Sequence, residues 1–272
     1  MRDSIKPWIS GGSTEARDFG VKDRVALITG AGQGIGRELA HQFAASDATV
    51  IIADVNAEKA SAVAAEIEDE GRRAMAVSVD VADEASVGAM VETALKAFGR
   101  IDVLVNNASL FSNLAKRPFE QIPLTEWRRV LDVNVTGVFL CSRAVAPLMR
   151  EQGFGRIINV SSDSVHRGTK NYLHYVTSKS ALIGMTNSLA RELGPDGITV
   201  NCIRPGTVET EVEERLASLT AEVRQRNIDM QCIPRTVVPS DLAGLMIFLA
   251  TPAASFITGQ TIACDGGYTH SF

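Results

Sequence analysis

Cysteine is scarce in this chain: four residues in 272, Cys141, Cys202, Cys232 and Cys264. No two stand at CxxC spacing and none falls into a Cys/His pattern. That excludes a disulfide scaffold and a structural zinc site, so no metal is expected, and it points to reduced, mostly buried thiols in a cytoplasmic protein. No apolar run reaches the ~18 residues of a membrane span, so no membrane partner is expected. No block of Lys and Arg is present, and the net charge is -5, which argues against a nucleic-acid partner. The first twenty residues, MRDSIKPWISGGSTEARDFG, lack the apolar core of a signal peptide. They read as a surface tail that Trp8 and Ile9 could anchor. There is no repeat, linker or low-complexity tract, so residues 21–272 read as one domain.

What the chain has is alternation. Short apolar runs, many of them β-branched, at 24–29, 48–54, 74–80, 101–107, 155–161, 198–206 and 260–266 read as strands. Helical patterns fill 34–46, 57–71, 82–99, 125–151, 173–194 and 240–250, with one or two helices in 208–233. Continuous apolar strands need cover on both faces. The expected fold is therefore α/β, a single-domain Rossmann-type doubly wound parallel sheet of about seven strands flanked by helices.

Between the first strand and the first helix lies LITGAGQGIGRELA. Gly30, Gly32, Gly34 and Gly36 let the backbone turn sharply and approach a pyrophosphate, and the helix N-terminus presents free N–H groups to it. Gln33 and Ile35 belong to the same loop. The second strand ends at Asp54. A carboxylate there accepts hydrogen bonds from the adenosine ribose and repels a 2′-phosphate. Gln33 and Val55 are uncharged, so NAD is favoured over NADP. Asp80 and Val81 close the third strand and could line the adenine; a helix N-cap is an equal reading of Asp80 or Asp83.

Tyr175 and Lys179 stand four residues apart, on one face of a helix. An unperturbed phenol holds its proton until about pH 10. An ammonium ~5 Å away at an effective dielectric of ~20 supplies roughly 3 kcal/mol toward ionisation. That brings a tyrosine into range for proton transfer near neutrality. Tyr172 lies seven residues from Lys179, too far for this effect, and reads as a pocket wall or ordinary packing.

Nine motifs in register across residues 22–268 resemble the short-chain dehydrogenase/reductase family. They are TGAGQGIG (29–36), Asp54, Asp80–Val81, NNAS (106–109), Asn134 in VNVTG, Ser162 in INVSS, YVTSK (175–179), PGTVET (205–210) and ITGQTIACDGG (257–267). The resemblance implies an NAD-dependent oxidoreductase interconverting a secondary alcohol and a ketone. It implies Tyr175 as acid/base, Lys179 on the nicotinamide ribose, Ser162 on the substrate oxygen and Asn134 in a water-linked proton path. Asn107, Ala108, Pro205, Gly206, Val208 and Thr210 are implied at the cofactor, and a homotetramer is implied as the assembly. Ser109 stands where the family usually has glycine, and its hydroxyl could face the substrate.

Segments 109–123, 163–174 and 207–236 should surround the substrate. Lys116, Arg117, His166, Arg167, Lys170, Asn171 and His174 suggest a sugar, sugar acid or polyol. Ser164, His166 and Tyr172 join Ser109 as substrate candidates. Leu110, Phe111, Met230 and Ile233 suggest instead an apolar pocket for an aryl, alkyl or 3-oxoacyl ketone. Glu209, Glu211, Glu213, Glu214, Leu216 and Leu219 read as an amphipathic lid. From another class, the same fold could sense NAD(H) without turnover.

Overall fold

The structure, a computed structural model, describes residues 19–111, 114–211 and 220–270. The expectations for Trp8 and Ile9 and for Glu213, Glu214, Leu216 and Leu219 fall outside these residues.

Seven strands form one sheet: β1 (Val25–Thr29), β2 (Thr49–Asp54), β3 (Ala74–Ser78), β4 (Val103–Asn106), β5 (Gly155–Val160), β6 (Ile198–Pro205) and β7 (Thr261–Cys264). Their order is β3-β2-β1-β4-β5-β6-β7, and every pairing is parallel. Side chains alternate between two cores because a strand has period 2. Ala26, Ile28, Val50 and Ile52 face one core, and Val25, Leu27, Ile51 and Ala53 face the other. Helices α1 (Gly34–Ala45), α2 (Ala57–Asp69) and α9 (Ser240–Ala250) cover the first. Helices α3 (Glu84–Phe98), α5 (Gly137–Gln152) and α7 (Leu173–Leu193) cover the second. Each buried Val, Leu or Ile among these contributes about 1.5–3 kcal/mol.

The chain signals its own helix ends. Asn56 caps α2 by accepting from the Lys59 amide, and Asp83 caps α3 by accepting from the Ser86 amide. The N-cap is thus Asp83, and Asp80 is left to other partners. Gly99 ends α3 at a φ of 73°, where a side chain would strain the backbone.

One expectation fails in an informative way. The single helix over 125–151 is two helices, α4 (Leu124–Leu131) and α5, joined by a π-helical turn at Asp132–Thr136. This Leu124–Gln152 run is long and apolar enough to cross a bilayer. Here its apolar side is spent on the second core and on α7. The cysteines also depart in part: Cys141 and Cys202 are buried, but Cys232 is exposed.

The strand order reverses between β1 and β4. Connections from these two strands leave in opposite directions, so a crevice opens beyond their C-terminal ends. The short helices α6 (Ser164–Arg167) and α8 (Ala221–Asp229) stand over its far half.

Candidate active site

A cavity of about 490 Å³ fills that crevice, lined from Gly30 and Asp54 at one end to Tyr172, Val223 and Arg226 at the other. The glycine loop shapes the first end. Gly30 has a φ of 64°, and a β-carbon there would lie 2.7 Å from the Cα of Ala108. At Gly36 a β-carbon would come within 2.2 Å of the Gly30 carbonyl oxygen. So the loop packs directly on the segment after β4. Thr29 fixes that contact, its Oγ1 accepting from the Asn107 and Ala108 amides at 3.1 Å. The Asn107 side chain donates back to the carbonyls of Thr29 and Gly30 at 3.0 Å.

Asp54 holds the loop as well as facing the cavity: its carboxylate accepts from the Gly32 amide and the Asn56 amide, both at 2.9 Å. Asp80 accepts from the Ala82 amide at 2.9 Å and from Arg129 at 3.2 Å. Burial raises its pKa, but these two bonds outweigh burial and hold it below the usual value. Gln33, Gly34, Ile35, Val81, Asn107, Ala108, Pro205, Gly206, Val208 and Thr210 all line the cavity, whereas Gly32 and Gly36 act behind its wall through packing. Sequence reasoning missed one cation here. Lys59, on the first turn of α2, hydrogen-bonds Gln33 and lies beside Gly32 and Asp54. It was hidden because a helix brings it back to a loop 26 residues earlier. The residues therefore fit a dinucleotide: a glycine cradle that any β-carbon would fill, a helix N-terminus, and a carboxylate at the strand end.

The reacting end is made of side chains from α7 and the segment after β5. Lys179 is 3 % exposed, and its amine donates to the Val160 carbonyl at 2.8 Å. Burial pulls its pKa down to about 8, against a smaller opposing pull from Cys202. The amine lies 5.8 Å from the centre of the Tyr175 ring. Tyr175 packs against Phe111 and Tyr172, with ring centres 5.2 and 4.9 Å away. Ser162 is half-buried on the cavity wall, and its Oγ accepts from the Ser164 amide at 3.2 Å. Ser161 also borders the cavity, but its hydroxyl is engaged, donating to the Lys179 carbonyl at 2.8 Å. The adjacent serines thus do different jobs: the Ser161 hydroxyl ties the end of β5 to α7, while that of Ser162 can still donate into the cavity.

Asn134 sits inside the π turn, fully buried. Its side chain accepts from the Leu110 amide at 2.7 Å and donates to Ser178 Oγ at 3.0 Å. It joins the segment after β4 to the helix that carries Tyr175 and Lys179. Behind it runs a buried polar ladder that sequence reasoning did not single out. Asn106 donates to Asn159 at 2.9 Å and to Ser142 at 3.2 Å, and Asn159 donates to Thr186 at 2.9 Å. Leaving one such group unpaired would cost about 1–3 kcal/mol.

The polar substrate cluster expected from sequence is dispersed. Lys116 and Arg167 line the cavity. His166 is exposed and off the cavity wall, so its placement as a substrate residue is corrected: α6 turns its ring outward. His174 is fully buried outside the cavity, 3.3 Å from Glu126, which also pairs with Arg117. Lys170 and Asn171 are exposed and off the cavity wall. Ser109, Ser164 and Tyr172 line it, and the Tyr172 hydroxyl donates to the Phe111 carbonyl at 2.8 Å. Leu110 and Phe111 line it too, whereas Met230 and Ile233 are exposed elsewhere. Glu211 reaches the cofactor loop, its carboxylate accepting from the Gly34 amide at 2.7 Å.

With this geometry in hand, similarity to known proteins is informative. A family model described as "Enoyl-(Acyl carrier protein) reductase" matches residues 30–269. The short-chain reductase protein NovJ of Streptomyces niveus is 41% identical over 250 residues, covering 90% of this chain and 94% of its own. A 3-oxoacyl-[acyl-carrier-protein] reductase of Synechocystis sp. is 41% identical over 248 residues, covering 90% and 96%. A solved 7α-hydroxysteroid dehydrogenase, complexed with NADH and 7-oxo glycochenodeoxycholic acid, superimposes with a TM-score of 0.85 at 35% identity, covering 92% of this chain and 95% of that one. These matches span the cradle, the carboxylate and the Ser162, Tyr175 and Lys179 cluster alike, and the chain belongs to the short-chain dehydrogenase/reductase family as an oxidoreductase acting on CH–OH donors.

Proposed function

We propose that the enzyme interconverts a secondary alcohol and a ketone with NAD as its preferred dinucleotide, on substrates whose body is apolar. The observation that carries this reading is one continuous cavity with Asp54 at one end and Ser162, Tyr175 and Lys179 toward the other. Gly30, Gly34, Ile35, Asp54, Asn107, Val208 and Thr210 would hold the dinucleotide, which when bound supplies the hydride acceptor or donor.

In the oxidation direction the phenolate of Tyr175 takes the carbinol proton. Ser162 Oγ donates a hydrogen bond to the same oxygen as charge develops on it. The Lys179 ammonium stabilises that phenolate while it carries its proton. Asn134 keeps α7 in place against the segment after β4 and would support the water-linked exit of the proton. In reduction the same groups return the proton.

Asp54 supports NAD, since a carboxylate at this site repels a 2′-phosphate. Lys59 beside it limits how strong that preference can be. The solved hydroxysteroid dehydrogenase holds NADH, which agrees. An apolar body is favoured over a sugar because Leu110, Phe111, Leu114, Tyr172 and Val223 line the cavity, whereas His166, Lys170, Asn171 and His174 do not. Assembly as a homotetramer belongs to the same proposal: Leu124, Phe139 and Leu173 are exposed on α4, α5 and α7. The test is a screen of the purified chain for NADH formation and consumption across aryl, cyclic and straight-chain alcohols and ketones, with sugars and polyols beside them. Turnover confined to sugars would overturn the apolar reading, and a preference for NADP would overturn the role given to Asp54.

A further inference from the structure

Five cationic side chains line the cavity: Lys116, Arg129, Arg167, Lys179 and Arg226. Three are already engaged. Arg129 pairs with Asp80 at 3.2 Å, Arg167 with Asp163 at 2.8 Å, and Lys179 donates to the Val160 carbonyl at 2.8 Å. Lys116 and Arg226 have no carboxylate within ion-pair distance among the described residues. The amine of Lys116 lies 5.7 Å from the centre of the Tyr172 ring.

What sets them apart is position: among the described residues Lys22, Arg128 and Lys170 are also outside any ion pair, but Lys116 and Arg226 line the cavity of an acid-rich chain. It has 32 acidic residues against 27 basic ones, so partners are plentiful. The neighbouring cations find them: Arg117 pairs with Glu126, and Arg224 pairs with Glu209. Lys116 and Arg226 reach the cavity from the segment after β4 and from α8. Its acids are distributed the other way. Asp54 and Asp80 stand at the adenosine end, and the third, Asp163, is occupied by Arg167. Phe111, Leu114, Tyr172 and Val223 give the same cavity apolar wall, beside the polar Thr169, Thr207 and Asn227. The Lys116 amine stands beside the Tyr172 ring, which itself packs on Tyr175, so a ligand with its carbinol at the hydrogen-bonding pair and its body on these rings would extend toward positive charge. Cations at the mouth of a low-dielectric cleft concentrate anions and select against neutral competitors.

We propose that the substrate carries an anionic group, a carboxylate, at the end remote from the reacting carbon, and that Lys116 and Arg226 receive it. The substrate class is then a hydroxy acid, with its keto acid, having an apolar spacer between the two functional groups. This rests on the ketone–alcohol reading of the same cavity and adds its specificity. Lys116 and Arg226 are specificity-determining residues, and the proton-transfer set is unchanged.

The test compares matched pairs of ketones in NADH consumption by the full chain. The panel holds 4-acetylbenzoate, a cyclic keto acid and a straight-chain (ω−1)-oxo acid, each beside its methyl ester. A coenzyme A thioester and its N-acetylcysteamine counterpart distinguish a carboxylate from a phosphate as the anion. For at least one carboxylate pair, kcat/KM should favour the acid by about tenfold, mainly through KM, and less so as salt rises. In the Lys116→Gln/Arg226→Gln double variant the acid-to-ester ratio should fall to about one while the KM for NADH is kept. Equal rates for acid and ester in every pair, with the ketones turned over, overturn the anion subsite and leave ketone reduction standing. Preference for the coenzyme A thioester alone overturns the carboxylate. Turnover of no ketone and no alcohol overturns the reading beneath it. An acid preference that survives the double variant overturns the assignment to these two residues.

Discussion

The two ends of the cavity are built from different materials. At the dinucleotide end the chain uses backbone: a glycine loop pressed against Ala108, amides held by Asp54, and a helix N-terminus. At the reacting end it uses side chains from α7 and from the segments after β4 and β5, held in place by Asn134 and Tyr172. A backbone site is encoded locally, because spacing and missing β-carbons determine it. A side-chain site depends on which segments meet in space. Substitutions should therefore separate the two ends cleanly.

The largest effect is expected at the phenol. Tyr175→Phe should lower kcat by about 10³–10⁴, the scale of a lost general acid–base group, while leaving dinucleotide affinity within a few fold. Fluorescence titration with NADH beside steady-state kinetics checks both halves. Next comes Ser162→Ala, expected to cost about 10²–10³ in kcat by removing a donor to the developing oxyanion. Ser161→Ala should act on stability instead, by about 1 kcal/mol, since its hydroxyl is bonded to the Lys179 carbonyl. The reverse ranking would exchange the jobs of the two serines.

The other end is broken through the backbone. Gly36→Ala forces a β-carbon to within 2.2 Å of the Gly30 carbonyl oxygen, so the loop must move. We expect roughly 1–3 kcal/mol of lost stability in urea and weaker NADH binding. Unchanged affinity would show that the cradle does not touch the dinucleotide. Asp54→Ala should move the NAD-to-NADP ratio of kcat/KM toward NADP by about tenfold or more, with Lys59 free to meet a 2′-phosphate.

The smallest effect is one of pH. The Lys179 pKa is lowered to about 8 by burial, so its charge is present below that value and lost as pH rises through it. A phenolate supported by that charge loses its support in the same window. For alcohol oxidation kcat/KM should bend downward above about pH 8. A rate still climbing at about pH 10 would uncouple the amine from the chemistry.

Much of this was legible in the chain. The strand positions followed from apolar runs, because a sheet covered on both faces admits little else. Gly30, Gly36 and Asp54 were legible because their roles depend on local geometry. The break at Asp132–Thr136 was not, since one extra residue in a turn changes neither composition nor average periodicity. Lys59 was missed because its partner Gln33 precedes it by a helix and a strand. The polar cluster was overcounted: proximity in sequence placed His166, Lys170 and His174 near the substrate, whereas α6 and the turn into α7 point them outward or inward, away from the cavity.

The π turn has a consequence for how this enzyme can change. An α-helix advances each residue by about 100°, so a residue added to one turn rotates everything beyond it by that angle relative to everything before. Helix α5 presents Leu140, Val145 and Met149 to the second core only because that rotation has occurred. Substitutions along the run can accumulate singly, and loss of one residue between Asp132 and Thr136 could be absorbed by closing the wide turn to an α-turn, whereas a residue added or removed elsewhere in the run would swing those three side chains off the core together. The wide turn is thus the one place in this run where the chain has room to change its length by a residue without turning α5 away from the sheet.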